Sequence, residues 1–253
     1  MRIHLISIGG AVMHNIALEL KRNGHTVSGS DDEIFEPSKG RLSAAGLLPA
    51  KMGWDENNIT PDIDRIILGM HARIDNPELV KAQKMGLKIQ SFPEFVFEQC
   101  QDKKRVVVAG SHGKTSTTAM IMHVLMERKM AFDYLVGSQL DGFELMVKLS
   151  DAPIVILEGD EYLSSPIDRR SKFMWYEPDV AIITGVAWDH INVFPTWEGY
   201  CEQFQLFAET IKRDGSLIDY QNDEVLQKIA SKVSMKHIIP YESLKHKEDQ
   251  SVV

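Results

Sequence analysis

Cysteine is scarce: there are two in 253 residues, Cys100 and Cys201, far apart and without metal-ligand spacing. That excludes a disulfide scaffold and a thiolate metal cluster, and suits the reduced thiols of a cytoplasmic protein. Long apolar runs are missing as well. The stretch from Ile3 to Ile8 is too short for a secretory signal core and opens directly into glycine, and nothing approaches transmembrane length, so no membrane role is expected. Nor is positive charge in excess. Lys and Arg number 28 against 36 Asp and Glu, a net charge of −8, which argues against sequence-independent binding to nucleic acid or to an anionic membrane surface. The remaining balance, 25% charged and 43% hydrophobic residues, is that of a globular chain long enough for one large or two ordinary domains. Small-molecule partners fit it best.

The most informative stretch is Arg105-Val-Val-Val-Ala-Gly-Ser-His-Gly-Lys-Thr-Ser-Thr-Thr118. A β-branched run, Val106 to Val108, leads into glycines, and good helix formers follow from Ala119 to Arg128. Strand, glycine loop and helix in this order turn several backbone N–H groups and a helix N-terminus toward one point, which suits a polyphosphate. Lys114 would reach the β- and γ-phosphates of such a ligand, and the Thr115 hydroxyl would hold Mg²⁺. Gly110, Ser111, His112, Gly113, Lys114, Thr115 and Ser116 are therefore the expected phosphate-binding residues, and the resemblance given below makes the ligand ATP. The spacing is unusual. Two residues, Ser111 and His112, separate Gly110 from Gly113, where the common phosphate loop has four.

Ahead of this loop, Ile3 to Ile8 is strand-like, Gly9-Gly10 is a turn, and Met13 to Arg22 has helical spacing closed by Gly24. A second strand, Thr26 to Asp31, ends on a carboxylate. This is the layout of a dinucleotide-type βαβ unit, in which the turn receives a pyrophosphate and the acid lies near a ribose. The fingerprint is degraded, because Ser7 and Val12 stand where glycine is usual; close packing of helix on strand explains Gly9-Gly10 equally. Arg65 to Gly69 is a further strand, and His71 and Arg73 follow its carboxyl end, either as ligand contacts or as an ordinary polar loop. A short strand at Leu87 to Ile89 and a helix from Pro93 to Cys100 precede the charged stretch Gln101 to Arg105. The domain boundary is placed there, giving domains 1–101 and 102–253.

Beyond the loop helix, Tyr134 to Gly137 and Pro153 to Glu158 read as strands. The second ends in Glu158-Gly-Asp160-Glu161, carboxylates that would repel one another unless a divalent cation relieved the cost. A solvated acidic turn is the alternative. Beside Lys114 and Thr115, a metal role for Glu158 is the better reading. Val180 to Thr184 is another strand, leading to Gly185-Val-Ala-Trp-Asp189-His190, so that strand ends bring Lys114, Thr115, Glu158 and His190 toward one rim. Between lies Tyr162-Leu-Ser-Ser-Pro-Ile-Asp-Arg169-Arg170-Ser-Lys-Phe173, whose arginine forks would suit an anionic sugar nucleotide or form an exposed basic loop. Thr196 to Ile211 is an amphipathic helix with Trp197, Tyr200, Cys201, Phe204 and Phe207 as core. A strand at Gly215 to Asp219, a helix at Asp223 to Lys232 and a strand at His237 to Pro240 follow. From Glu242 the chain is polar and is expected to fray.

The shortened loop is similar to the G-T-x-G-K-[ST] pattern of Mur ligases and folylpolyglutamate synthetases, with Ser111 in place of Thr. His112 resembles the branch acting on UDP-N-acetylmuramate, and Ser7-Ile-Gly-Gly-Ala-Val-Met13 resembles that branch's UDP-binding turn. The resemblance implies an N-terminal Rossmann-like parallel-sheet domain that binds the UDP-sugar, followed by a P-loop α/β ATP-binding domain. It implies UDP contacts at Gly9, Gly10 and Asp31, with His71, Arg73, Arg169 and Arg170 as further sugar-nucleotide candidates. It also makes Lys114, Glu158 and His190 catalytic, with Mg²⁺ on Thr115, Glu158 and His190. Several Mur ligases carry a carboxylated lysine beyond that His; the corresponding position here is near Gln205 and the next lysine is Lys212, which favours a branch without it. The Asp160-Glu-Tyr and Arg170-Ser-Lys-Phe173 segments resemble the peptide-recycling branch, which joins UDP-N-acetylmuramate to L-alanyl-γ-D-glutamyl-meso-diaminopimelate. The L-alanine-adding branch is its nearest rival. Mur ligases have a third domain for the amine substrate, and this chain stops short of it. It is expected to be an N-terminal fragment, inactive alone or acting as a UDP-sugar and nucleotide-binding module.

Overall fold

A computed structural model describes residues 1–233 and 237–242; the tail expected to fray lies outside the described residues from 243 onward. The first part of the chain runs β1 (Arg2–Ile6), α1 (Ala11–Arg22), β2 (Thr26–Ser30), α2 (Ser38–Ala44), β3 (Arg65–Leu68), α3 (Pro77–Lys84), β4 (Ile89–Ser91) and α4 (Phe92–Gln99). All pairings among these strands are parallel, in the order β2-β1-β3-β4. Ile3, Leu5, Ile6, Ile66, Ile67 and Leu68 are fully buried, as expected of strands covered on both faces by crossover helices. Two caps fix helix starts: Asn76 accepts from the amides of Glu78 and Leu79 ahead of Pro77, and Ser91 accepts from Glu94. Proline at a first helical turn sacrifices no hydrogen bond.

The second part holds β5 (Lys104–Ala109), α5 (Lys114–Glu127), β6 (Asp133–Leu135), β7 (Val147–Lys148), β8 (Ile154–Glu158), β9 (Leu163–Ser165), β10 (Asp168–Ser171), β11 (Val180–Ile183), α6 (Trp197–Glu209), β12 (Ser216–Tyr220), α7 (Glu224–Lys232) and β13 (His237–Tyr241). Seven of these strands form one sheet, β13-β12-β11-β5-β8-β6-β7, parallel except for β7 at the edge, while β9 and β10 make a separate hairpin. The fold is thus mixed α/β with two parallel sheets, as expected. Strand order reverses beside β1 in the first sheet and beside β5 in the second. At such reversals neighbouring loops diverge and leave a crevice at the carboxyl ends of the strands.

The two sheets are not independent beads. Phe92, Phe95 and Val96 of α4, with Cys100 just after it, share one apolar cluster with Val107 of β5, Phe173 and Tyr176. A second seam joins α1 to the edge strand β7. Asn15 Oδ1 accepts the amide of Met146 at 3.0 Å, Glu19 Oε1 accepts that of Leu149 at 2.8 Å, and Asn23 donates to the Leu149 carbonyl at 2.8 Å. Side chains of α1, and Asn23 just after it, satisfy backbone groups of the residues flanking the edge strand. Among the described residues no helix is long and apolar enough to cross a membrane, and both cysteines are free.

Candidate active site

The glycine loop expected to bind phosphate leaves β5 at Ala109. Gly110 has φ 127°, and a Cβ there would lie 2.2 Å from Thr184 Oγ1 and 2.9 Å from its amide. No side chain fits. Gly113, at φ 79°, turns the chain into α5, so both glycines meet a conformational need. The loop is fastened to the exit of β11: Thr184 N donates to Ala109 O and Ser111 N to Gly185 O, each at 3.0 Å. Lys114 folds back over the loop, its Nζ donating to Gly110 O at 2.7 Å and to Glu161 Oε2 at 3.0 Å. The hydroxyl of Thr115 donates to Glu158 Oε1 at 3.1 Å. His112 and Ser116 are exposed, and the His112 carbonyl accepts from Thr184 Oγ1.

Residues predicted as one metal-binding set fall into two adjacent groups. Thr115 and Glu158 form the first. Burial raises the Glu158 carboxyl pKa above its ordinary value, against the opposing amide of Gly137, the Thr115 hydroxyl and Lys114. His190 belongs to the second group, with Glu161 and Asp189, whose ligand atoms lie within 4.8 Å of one another. Its Nε2 is 3.7 Å from Glu161 Oε1, and its backbone is left-handed at φ 53°. Glu161 is fully buried. In the sequence it is one member of an acidic cluster with nothing to single it out, and in the fold it is the carboxylate that links Lys114 to His190. The hydroxyl and carboxylate oxygens suit Mg²⁺, for which an imidazole is the less usual donor: Thr115 and Glu158 would hold one ion, and Glu161 and Asp189, with His190 beside them, offer donors for another. No lysine enters from α6. Gln205 bonds Lys232 and Glu209, and Lys212 pairs with Asp179 at 2.9 Å.

The arginine run is organised differently from its expected role. Arg170 forks onto Asp168 at 3.0 and 3.1 Å and lies 3.9 Å over the Trp175 ring. Arg169 is exposed on β10. Lys172 binds Asp160 at 2.5 Å, which brings that carboxyl below its ordinary pKa although burial pushes it up. Phe173 is fully buried and stacks on Phe207 at 4.5 Å. The run therefore anchors the acidic loop against α6, while Arg170 is already committed to Asp168.

At the other crevice, Ser7 has φ 69°, which accounts for the glycine usual at that position. A Cβ on Gly9 would meet Ile34 Cγ1 at 2.8 Å and Asp31 Oδ2 at 2.9 Å; on Gly10 nothing lies nearer than 3.5 Å. Asp31 accepts the Gly9 amide at 2.7 Å, and burial pushes its carboxyl up to about 6. The acid thus braces the turn. His71 and Arg73 are exposed beyond β3, and Arg73 forks onto Asp75 at 2.8 and 2.9 Å, an arrangement that matches the polar-loop alternative.

Two glycine turns at two sheet reversals, one followed by a lysine paired with a buried carboxylate, define a mixed α/β protein with two candidate anion-binding turns. Comparison with known proteins gives the family. The model of the Mur ligase middle domain matches residues 108–251, and that of the Mur ligase family catalytic domain matches residues 2–104. The chain belongs to the Mur ligase family. It is 29% identical over 225 residues to the UDP-N-acetylmuramate–L-alanyl-gamma-D-glutamyl-meso-2,6-diaminoheptandioate ligase of Haemophilus influenzae, covering 88% of this chain and 49% of that protein. Over 236 residues it is 36% identical to the UDP-N-acetylmuramate–L-alanine ligase of Lactobacillus delbrueckii subsp. bulgaricus, covering 93% and 50%. Among solved structures, the UDP-N-acetylmuramate:L-alanyl-gamma-D-glutamyl-meso-diaminopimelate ligase of Neisseria meningitides superposes with a TM-score of 0.86 at 27% identity, over 94% of this chain and 77% of that one. The chain spans about half the length of the two sequence relatives.

Proposed function

We propose that this chain carries the sugar-nucleotide and ATP sites of an ATP-dependent amide ligase acting in the cytoplasm on UDP-N-acetylmuramate. Residues 1–101 would bind the UDP end and residues 102–253 the triphosphate. The observation that carries the reading is the meeting of Lys114, Thr115, Glu158 and Glu161 at the mouth of one left-handed glycine loop. The muramyl carboxylate would attack the γ-phosphate, giving an acyl phosphate and ADP; an amine would then displace phosphate. Lys114 would stabilise the charge spread over the transferring group, while the loop amides and the α5 N-terminus bind the β-phosphate. Bound Mg²⁺ would supply further neutralisation of the phosphate oxygens. Glu161, held by Tyr200 and Lys114, would keep the lysine at the loop rim until nucleotide arrives.

The amine partner we assign is the tripeptide L-alanyl-γ-D-glutamyl-meso-diaminopimelate. The Arg170-Ser-Lys-Phe173 resemblance and the likeness to the Neisseria and Haemophilus ligases favour it. Free L-alanine is the second reading, favoured by the higher identity to the Lactobacillus ligase. A full-length ligase offered both amines with UDP-N-acetylmuramate and ATP decides between them. Phosphate release with tripeptide and not with L-alanine supports our assignment; the reverse preference overturns it.

A further inference from the structure

Tyr200 reads from sequence as a core aromatic, and its ring is one. It is fully buried among Phe194, Trp197 and Phe204, with ring centroids at 5.7, 6.2 and 5.4 Å. Its hydroxyl, however, meets only polar partners: Ser111 Oγ at 2.7 Å and Glu161 Oε1 at 3.0 Å. Ser111 Oγ in turn accepts the amide of Ala187 at 2.9 Å. The two ends fix the direction of every proton between them. An amide can only donate and an ionised carboxylate can only accept. Ser111 therefore donates to Tyr200, and Tyr200 donates to Glu161. The other oxygen of Glu161 accepts from Lys114. One polarised chain thus runs from the loop after β11, through the phosphate loop and α6, to the Lys114 ammonium.

We propose that Tyr200 is a positioning residue of the phosphate site: its hydroxyl orients Glu161, and through it Lys114, in step with Ser111. The inference rests on the reading of residues 110–115 as the ATP-phosphate loop. Phenylalanine would fill the same apolar space, so the hydroxyl contributes to the polar chain alone. His190 Nε2 approaches the same Glu161 oxygen at 3.7 Å. When Lys114 turns to a phosphate, Tyr200 is what keeps that carboxylate from rotating.

The test compares the unaltered chain with Tyr200→Phe, Ser111→Ala and the double variant. Two quantities are followed: the rate of Lys114 acylation by acetic anhydride without nucleotide, read by mass spectrometry, and the Kd for Mg²⁺-ATP. Each single change is expected to raise both by roughly 5–10-fold, as for loss of one hydrogen bond of ordinary net strength. The double variant is expected to be no worse than the stronger single, because the two hydroxyls act in series. Melting temperature serves as the control, since a merely structural role would lower it without singling out Lys114. Unchanged Lys114 acylation in Tyr200→Phe overturns the inference, as do independent effects that follow the loss of melting temperature. If the unaltered chain binds no ATP yet acylation shifts as described, the positioning role stands and the ATP reading fails.

Discussion

The ammonium of Lys114 lies 3.0 Å from Glu161 Oε2, a fully buried carboxylate delivered by the loop after β8. A buried ion pair holds its partners in one geometry but is costly to break on one side. It holds Lys114 at the loop rim, where the proposed phosphate would arrive.

Replacing Lys114 by Ala removes the charge expected at the γ-phosphate. If the proposed activity is assayed in a ligase that carries this chain, phosphoryl transfer should fall by at least about 100-fold, the scale of losing one preorganised transition-state contact. Release of ADP in a coupled assay checks this. Near-normal turnover would refute the role of Lys114.

The two glycines after β1 should respond differently. Gly9→Ala forces a methyl to within 2.8 Å of Ile34 and 2.9 Å of the Asp31 carboxylate, whereas Gly10→Ala meets nothing nearer than 3.5 Å. Gly9→Ala is expected to cost about 1–3 kcal/mol and to weaken UDP-N-acetylmuramate binding. Gly10→Ala should stay within about 1 kcal/mol of the unaltered chain. Urea denaturation of the two variants measures the difference.

Asp31 gives the first sheet a pH signature. Its folded pKa of about 6 lies above the ordinary value of 3.8, so the folded state holds a proton that the unfolded state has released. Its contribution is present below about pH 4 and is lost as pH rises through about 6. Glu78 works in the opposite sense. Although burial raises its pKa, bonds from His4, Ser30, Asp55 and Asn58 prevail and lower it, giving stability above the unfolded carboxylate range that is lost as pH falls. Asp31→Asn should abolish the first effect alone. Denaturation midpoints between pH 4 and 6.5 should then decline less with rising pH than those of the unaltered chain; parallel profiles would contradict the assignment.

The α1–β7 seam should govern how the two sheets unfold. Glu19 is 4% exposed and accepts the Leu149 amide at 2.8 Å. Glu19→Ala leaves that amide without its partner and should cost about 1–3 kcal/mol. Two transitions in urea, in place of one, would mark the seam as the link between the sheets. An unchanged midpoint would show that the shared core around Phe95 and Phe173 suffices.

Features set by local backbone geometry were legible in the sequence. Gly110 and Gly113 announce left-handed turns between a β-branched strand and a helix, and both sheets follow from apolar runs broken by glycine. Side chains whose partners come from distant strands were not legible. Glu161 lies beyond the strand end on a loop bent by Lys172–Asp160 pairing and the Phe173 amide bonded to Asp160 O, so its approach to Lys114 has no local signal. Asn15 and Glu19 look like solvent-facing helix residues until β7 covers them. The hairpin β9–β10 is short and holds buried serines, Ser164 and Ser165, so neither alternation nor hydrophobicity marks it. The arginines are visible in the sequence but their acceptors are not: for Arg170 and Arg73 each is an aspartate two positions away.

The measurement that tests the central claim most directly is calorimetric titration of this chain with UDP-N-acetylmuramate and, separately, with Mg²⁺-ATP. Saturable binding of the sugar nucleotide that Gly9→Ala weakens, together with ATP binding that Lys114→Ala weakens, is the expected result. ATP binding without any affinity for UDP-N-acetylmuramate would contradict the account, leaving a phosphate-loop protein that acts on a different substrate.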